Sequence, residues 1–75
     1  MTPVLEILTI ITSIEQLKAG KIEPGGAMSL EIYNRLEMRN KPYFAEAIQK
    51  LLQDGKIRRD ETLNSFMYYI SNDAN

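Results

Sequence analysis

A chain of 75 residues has room for one domain, spanning residues 1–75, and its hydrophobic core will be small. It contains no cysteine and no histidine, which removes disulfides, the usual zinc ligands, nucleophilic thiols and histidine acid–base chemistry, so we expect no metal, no cofactor and no enzyme. The 44% apolar fraction, 25% charged residues and net charge of −1 are typical of a globular protein, which we expect in the cytoplasm.

The first predicted helix covers about residues 3–19, with Thr2 and Pro3 as N-cap and first position and Gly20 as its stop. Its apolar residues cover more surface than one packing partner needs: Val4, Leu5, Ile7, Leu8, Ile10, Ile11, Ile14 and Leu17. One of the two buried surfaces that this implies is a candidate homodimer interface. The run is too short to span a membrane, and its β-branched residues leave a buried strand as the competing interpretation.

A loop follows over residues 20–28, where Lys21 and Ile22 are candidates for a short extended pairing with a later strand. The second helix is predicted over about residues 29–37, with Ser29 as its N-cap. Its apolar residues recur at helical spacing: Leu30, Ile32, Tyr33 and Leu36.

The third helix is predicted over about residues 42–54. Asn40 supplies an N-cap region, Pro42 fits the opening turn, and Gly55 closes the helix. The side chains predicted to face the core are Phe44, Ala47, Ile48, Leu51 and Leu52. Those predicted to face outward are Glu46, Gln49, Lys50 and Gln53, with Tyr43 at the flank.

Residues 56–70 predict a two-stranded wing. Residues 56–59 alternate as one strand, residues 60–65 are polar and turn-like, and residues 66–70 are aromatic and favour a second strand. Within that strand Phe66, Tyr68 and Ile70 share the face that packs on the helices, which leaves Met67 and Tyr69 on the other face. The predicted fold class is therefore α+β, mostly α, with a three-helix core and a two-stranded β wing.

Charge is unevenly distributed along the chain. Residues 29–59 hold seven basic side chains, Arg35, Arg39, Lys41, Lys50, Lys56, Arg58 and Arg59, against four acidic ones, Glu31, Glu37, Glu46 and Asp54. Both flanking segments are acidic, so a modest positive face can meet a polyanion while the whole chain stays slightly negative. Arg39, Asn40 and Lys41 also fall just before the third helix, where unpaired N–H groups and the helix dipole favour a phosphate.

This arrangement resembles the winged helix-turn-helix superfamily of small DNA-binding domains. The resemblance is carried by residues 29–36, Phe44, Ala47, Ile48, Leu51, Leu52 and residues 55–59. It implies that the helix starting near Pro42 reads double-stranded DNA, as part of a small, dimeric transcriptional regulator that binds two half-sites. The DNA contacts that it implies are Arg39, Asn40, Lys41, Tyr43 and Lys50, with Arg58 and Arg59 on the wing and Arg35 reaching a phosphate.

The competing hypothesis uses the same fold as a protein–protein interaction module that binds no DNA. Glu46 lies in the middle of the outward face of the third helix, which would read the DNA. The wing turn carries Asp60 and Glu61, where a basic residue would favour a phosphate. These carboxylates and the slightly negative net charge of the chain suit a protein partner better than a polyanion.

Overall fold

The computed structural model describes residues 1–23 and 25–71. Its elements run in the order α1 (Pro3–Lys18), β1 (Ala27–Met28), α2 (Ser29–Arg35), a 3-10 helix (Met38–Tyr43), α3 (Phe44–Gln53), β2 (Ile57–Glu61) and β3 (Phe66–Ile70). The three strands form one antiparallel sheet in the order β1-β3-β2. The chain is therefore α+β and mostly helical, as predicted.

Helix α1 forms the centre of the core. It begins where the Leu5 N–H donates to Thr2 Oγ1 at 3.2 Å, and it ends at Lys18, two residues before Gly20 with φ +70°. The helix prediction is confirmed and the competing strand is wrong. The buried core positions of α1 are Ile7, Ile10, Ile11 and Ile14. Because α1 contacts α2, α3 and the sheet, most of its apolar residues are covered within one chain, while Leu5 and Leu17 stay exposed.

Helix α2 begins without the predicted cap. Met28 is the N-cap residue, Ser29 is already the first helical residue, and Glu31 Oε1 accepts from the Met28 N–H at 2.9 Å. The Ser29 prediction was wrong because the carboxylate of Glu31, reaching back, satisfies the end of the helix instead. The helix also ends at Arg35, two residues earlier than predicted.

The start of α3 also differs from the prediction. Helical backbone begins at Met38, since the Asn40 N–H already donates to the Glu37 carbonyl at 2.9 Å, so Asn40 and Pro42 lie inside the 3-10 helix and α3 starts at Phe44. The C-terminal prediction is confirmed. Gly55 has φ +71°, and the N–H groups of residues 55 and 56 donate to the carbonyls of residues 52 and 51.

The sheet has one strand more than predicted. Ala27 and Met28 pair with Tyr68 and Met67, whereas the pairing expected of Lys21 and Ile22 was wrong. Ile22 turns back instead, because its N–H donates to the Lys18 carbonyl at 3.0 Å. The Lys18 Nζ then holds the Gly26 carbonyl at 2.9 Å, which sets the chain beside β3.

The faces of β3 are those predicted. Tyr68 belongs to the core cluster, and Phe66 and Ile70 pack against it. Met67 and Tyr69 lie on the other face, where Met67 is nevertheless buried against Gly26. Within the two described ranges, none of the helices combines the length and apolar character needed to cross a membrane.

Candidate nucleic-acid interface

Three of the predicted contacts lie at the turn from α2 to α3, which we call the basic corner (Arg35, Arg39 and Lys41). Arg35 ends α2 and Arg39 lies in the 3-10 helix, and both side chains are exposed. The Arg39 Nη2 is 3.5 Å from Glu37 Oε1, an exposed pair of the kind that contributes little to stability. Counting Glu37, the corner keeps an excess of positive charge.

Lys41 is the most constrained member of the basic corner. Its Nζ donates to the Tyr33 carbonyl at 2.6 Å and lies 4.6 Å from the centroid of the Tyr33 ring. That ring in turn meets Phe44 edge-on, with centroids 5.7 Å apart. Lys41 therefore joins α2 to the start of α3, so that its positive charge has a defined position.

Asn40 points into the protein. Its side chain is only 5% exposed, and its Nδ2 donates to Glu6 Oε1 at 2.6 Å and to the Met1 carbonyl at 3.3 Å. The second oxygen of Glu6 accepts from the Glu37 N–H at 3.0 Å. Sequence reasoning missed Glu6, although a single carboxylate inside the apolar run of the first helix was a visible signal.

The exposed side of α3 forms a reading surface made of Ala45, Glu46, Gln49, Lys50 and Gln53. The outward direction predicted for Glu46, Gln49, Lys50 and Gln53 is confirmed. Lys50 Nζ is 3.3 Å from Asp54 Oδ2, one turn further along. Glu46 and Lys50 balance within this surface and Asp54 adds a negative charge at its end, whereas the positive charges of Arg39 and Lys41 lie just before α3.

A shallow groove separates α3 from the start of α1. Its volume is about 240 Å³, and its lining is mostly apolar. Tyr43 and Lys50, both predicted contacts, line it together with Pro3, Val4, Glu46 and Ala47. Tyr43 is half exposed here, so its ring is accessible to a ligand.

The β2–β3 ribbon carries the two remaining arginines on opposite faces. The Arg58 guanidinium stacks 4.2 Å from the centroid of Tyr69, its cross-strand neighbour, and Nη1 lies 3.2 Å from Asp60 Oδ2. Arg59 stacks 4.5 Å from the centroid of Phe66 on the other face. Because the two guanidinium groups point to different sides, one flat ligand cannot contact both.

An apolar residue lies at the tip of the turn between β2 and β3. Leu63 is 98% exposed, and the turn is closed by the Thr62 N–H and the Ser65 carbonyl at 2.8 Å, with the Thr62 hydroxyl bridging the same residues. The tip therefore offers neither a lysine nor an arginine to a phosphate.

Lys18 is a cation whose role the sequence did not reveal. It is only 13% exposed, and its Nζ donates to Glu31 Oε1 at 2.8 Å in addition to Gly26. Burial by itself would raise the pKa of the Glu31 carboxyl, but hydrogen bonds from Lys18 and Met28, with the charges of Lys18 and Arg35, bring the pKa below its usual value. Lys18 and Glu31 thus hold α1, β1 and α2 together.

Arg35, Arg39 and Lys41 lie in one stretch of the chain, from the end of α2 into the 3-10 helix that Tyr43 closes. Lys50 lies on α3, Arg58 and Arg59 lie on β2, and Asn40 points inward. Within residues 1–23 and 25–71, carboxylates do not cluster in a group that could hold a metal ion. Comparison with known proteins finds no match for this chain, whether with family models, curated proteins or solved structures.

Proposed function

We propose that this protein is a winged helix-turn-helix domain that binds double-stranded DNA, with α3 in the major groove and the basic corner on the phosphates. The observation that carries the proposal is the basic corner, whose positive charge lies at the N-terminal end of an exposed, polar reading surface. The order of helix, helix, helix and ribbon is the order that the family resemblance implies.

The ion pairs around this surface do not prevent such binding. In the ion pairs of Arg39, Lys50 and Arg58, the basic side chain is more than half exposed. Such exposed pairs contribute about 0–1 kcal/mol to stability. A phosphate can therefore replace the carboxylate. If three cations of the basic corner neutralise three phosphates, the logarithm of affinity falls with the logarithm of salt concentration with a slope of about −3.

Fluorescence anisotropy of a labelled random duplex, titrated at low and high salt, tests the proposal. We expect micromolar binding at low salt that weakens steeply as salt rises. The double substitution Arg35→Gln with Arg39→Gln should weaken binding about tenfold at low salt and make the salt slope shallower. Lys21→Gln, which removes an exposed lysine outside the basic corner, is the matched control. No binding at low salt, or equal losses in the double variant and the control, would refute the proposal.

The second candidate is a protein-interaction module, and the groove between α1 and α3 favours it. The groove offers Pro3, Val4, Tyr43 and Ala47 to an apolar side chain of a partner. An interface of this kind buries apolar area, so its affinity changes little with ionic strength. Salt dependence therefore separates the two candidates.

A dimer through α1 has less support than the sequence suggested. Among the apolar residues of α1, only Leu5 at 55% and Leu17 at 58% are more than half exposed. They lie about 18 Å apart along the helix axis and on different sides of it, so they do not form one apolar patch. We therefore propose DNA binding for the single chain, and sedimentation equilibrium of the free protein should give its 8.6 kDa mass.

A further inference from the structure

Three uncharged side chains form a stripe on the reading surface of α3. Ala45, Gln49 and Gln53 are four residues apart and all exposed, so they follow one side of the helix, with Ala45 nearer to its buried side. Glu46 and Lys50 lie beside this stripe, on the edge that lines the groove to α1. The outward side of α3 therefore presents Gln49 and Gln53 next to the Glu46 carboxylate.

The two glutamine amides on this stripe are available to a ligand. Among residues 1–23 and 25–71, neither Gln49 nor Gln53 forms a side-chain hydrogen bond, whereas the amide of Asn40 is bound to Glu6. Lys50 makes an exposed ion pair with Asp54. The uncharged hydrogen-bonding groups on the reading surface are thus these two amides, each of which carries a donor and an acceptor side by side.

Such amides match one base in particular. A glutamine side chain can accept from the N6 amino group of adenine and donate to its N7, and an alanine methyl can contact the methyl group of thymine. Guanine is instead the partner of arginine or lysine, and the stripe contains neither. We infer that α3 reads adenine–thymine base pairs through Gln49 and Gln53, an inference that rests on the proposed DNA binding.

The spacing of the two amides makes the inference more specific. Residues four apart on a helix are separated by about 6 Å along its axis, which exceeds one base-pair step of about 3.4 Å, so the two amides can reach different base pairs. The expected site therefore contains two adenine–thymine pairs.

Selection from a randomised duplex library tests this, with wild type, Gln49→Ala, and Gln16→Ala as the control. Gln16 is an exposed glutamine on α1, outside the reading surface. We expect wild type and the control to enrich the same adenine–thymine positions about tenfold over guanine–cytosine. Gln49→Ala should lose the preference at one of them and keep it at the other.

A second measurement locates the contact on the base. Replacing the selected adenine by 7-deazaadenine removes the N7 acceptor and leaves base pairing intact. The affinity of wild type should fall about fivefold, whereas that of Gln49→Ala should not change. Equal effects of the modified base on both proteins would overturn the assignment to Gln49.

The outcomes separate this inference from the proposed function. Salt-dependent binding with enrichment of guanine–cytosine pairs, or with a preference that survives Gln49→Ala, refutes adenine reading and leaves DNA binding standing. Absence of salt-dependent binding to any duplex refutes both.

Discussion

The side-chain amide of Asn40 donates a hydrogen bond of 2.6 Å to the Glu6 carboxylate, joining the start of α1 to the 3-10 helix across the core. Glu6 is itself buried, and its other oxygen accepts from the Glu37 N–H. A buried carboxylate is stable only when its oxygens have donors, and here both are satisfied. Asn40 does not cap α3, because it lies inside the 3-10 helix and Tyr43 is the residue that precedes α3.

Removal of the Glu6 carboxylate should destabilise the fold strongly. Glu6→Ala leaves the Asn40 amide and the Glu37 N–H without a partner, which we expect to lower the free energy of unfolding by about 2–4 kcal/mol. Glu6→Gln keeps the shape but sets a second donor against the Glu37 N–H, with an expected loss of about 1–2 kcal/mol. Urea unfolding followed by circular dichroism measures both. Glu23→Ala, at an exposed loop position, is the control, and a loss in Glu6→Gln no larger than in this control would contradict the role of Glu6.

Acid should weaken the junction of α1, β1 and α2. Because the pKa of Glu31 is lower in the folded chain than its ordinary value of 4.5, the Glu31 contribution is fully present above about pH 4.5 and is lost as pH falls through the lower folded pKa. Glu31→Gln should cost about 1 kcal/mol near neutral pH, because it weakens the ion pair with Lys18 and the cap on Met28.

The difference in unfolding free energy between wild type and Glu31→Gln should therefore shrink below about pH 4.5, which urea titrations at several pH values measure. Glu23→Gln, the exposed counterpart, should show no such convergence. A difference that stays constant down to the acid transition would contradict the assignment to Glu31.

Much of the fold follows from local signals in the sequence. Thr2, Pro3, Gly20 and Gly55 each fix a helix end through a cap or a left-handed backbone, and such effects depend only on neighbouring residues. The alternation in residues 66–70 similarly decides which side of β3 faces the core. Strand β1 was missed because two residues carry no periodicity, and its place is fixed by Lys18, which lies nine residues before Ala27 in the sequence.

The candidate site could be predicted only in part. The exposed face of α3 follows from helical periodicity, and it is confirmed. Asn40 illustrates the limit, since its direction depends on Glu6, a partner 34 residues away that no local pattern reveals. The same holds for Lys41, whose contact with the Tyr33 carbonyl depends on how α2 meets the 3-10 helix.

Gly26 and Gly25 offer a matched test of packing on the outer face of the sheet. A Cβ atom at Gly26 would lie 2.6 Å from Met67 Cγ and 2.7 Å from Tyr69 Cζ, whereas at Gly25 the nearest atom would be 3.8 Å away. We expect Gly26→Ala to lower the free energy of unfolding by about 1–3 kcal/mol, because Met67 and Tyr69 must both shift. Gly25→Ala should change it by less than about 0.5 kcal/mol. Thermal unfolding compares the two, and equal midpoints would show that the side chains move without cost.

Substitutions of Lys41 and Arg39 should differ in their effect on stability but not in their effect on DNA binding. Lys41 donates to the Tyr33 carbonyl and stacks on the Tyr33 ring, whereas Arg39 makes only an exposed pair with Glu37. Lys41→Gln should lower the free energy of unfolding by about 1 kcal/mol, while Arg39→Gln should leave it within about 0.5 kcal/mol of wild type.

Each of these two substitutions removes one positive charge that we propose to contact a phosphate. Both should therefore weaken duplex binding at low salt by a similar factor and reduce the salt slope by about one. Urea unfolding and duplex anisotropy on the same two variants measure the two effects. If Arg39→Gln destabilised the fold as much as Lys41→Gln, the distinction drawn from the Tyr33 contacts would be wrong. If neither variant changed the salt slope, the basic corner would not be the phosphate-binding surface.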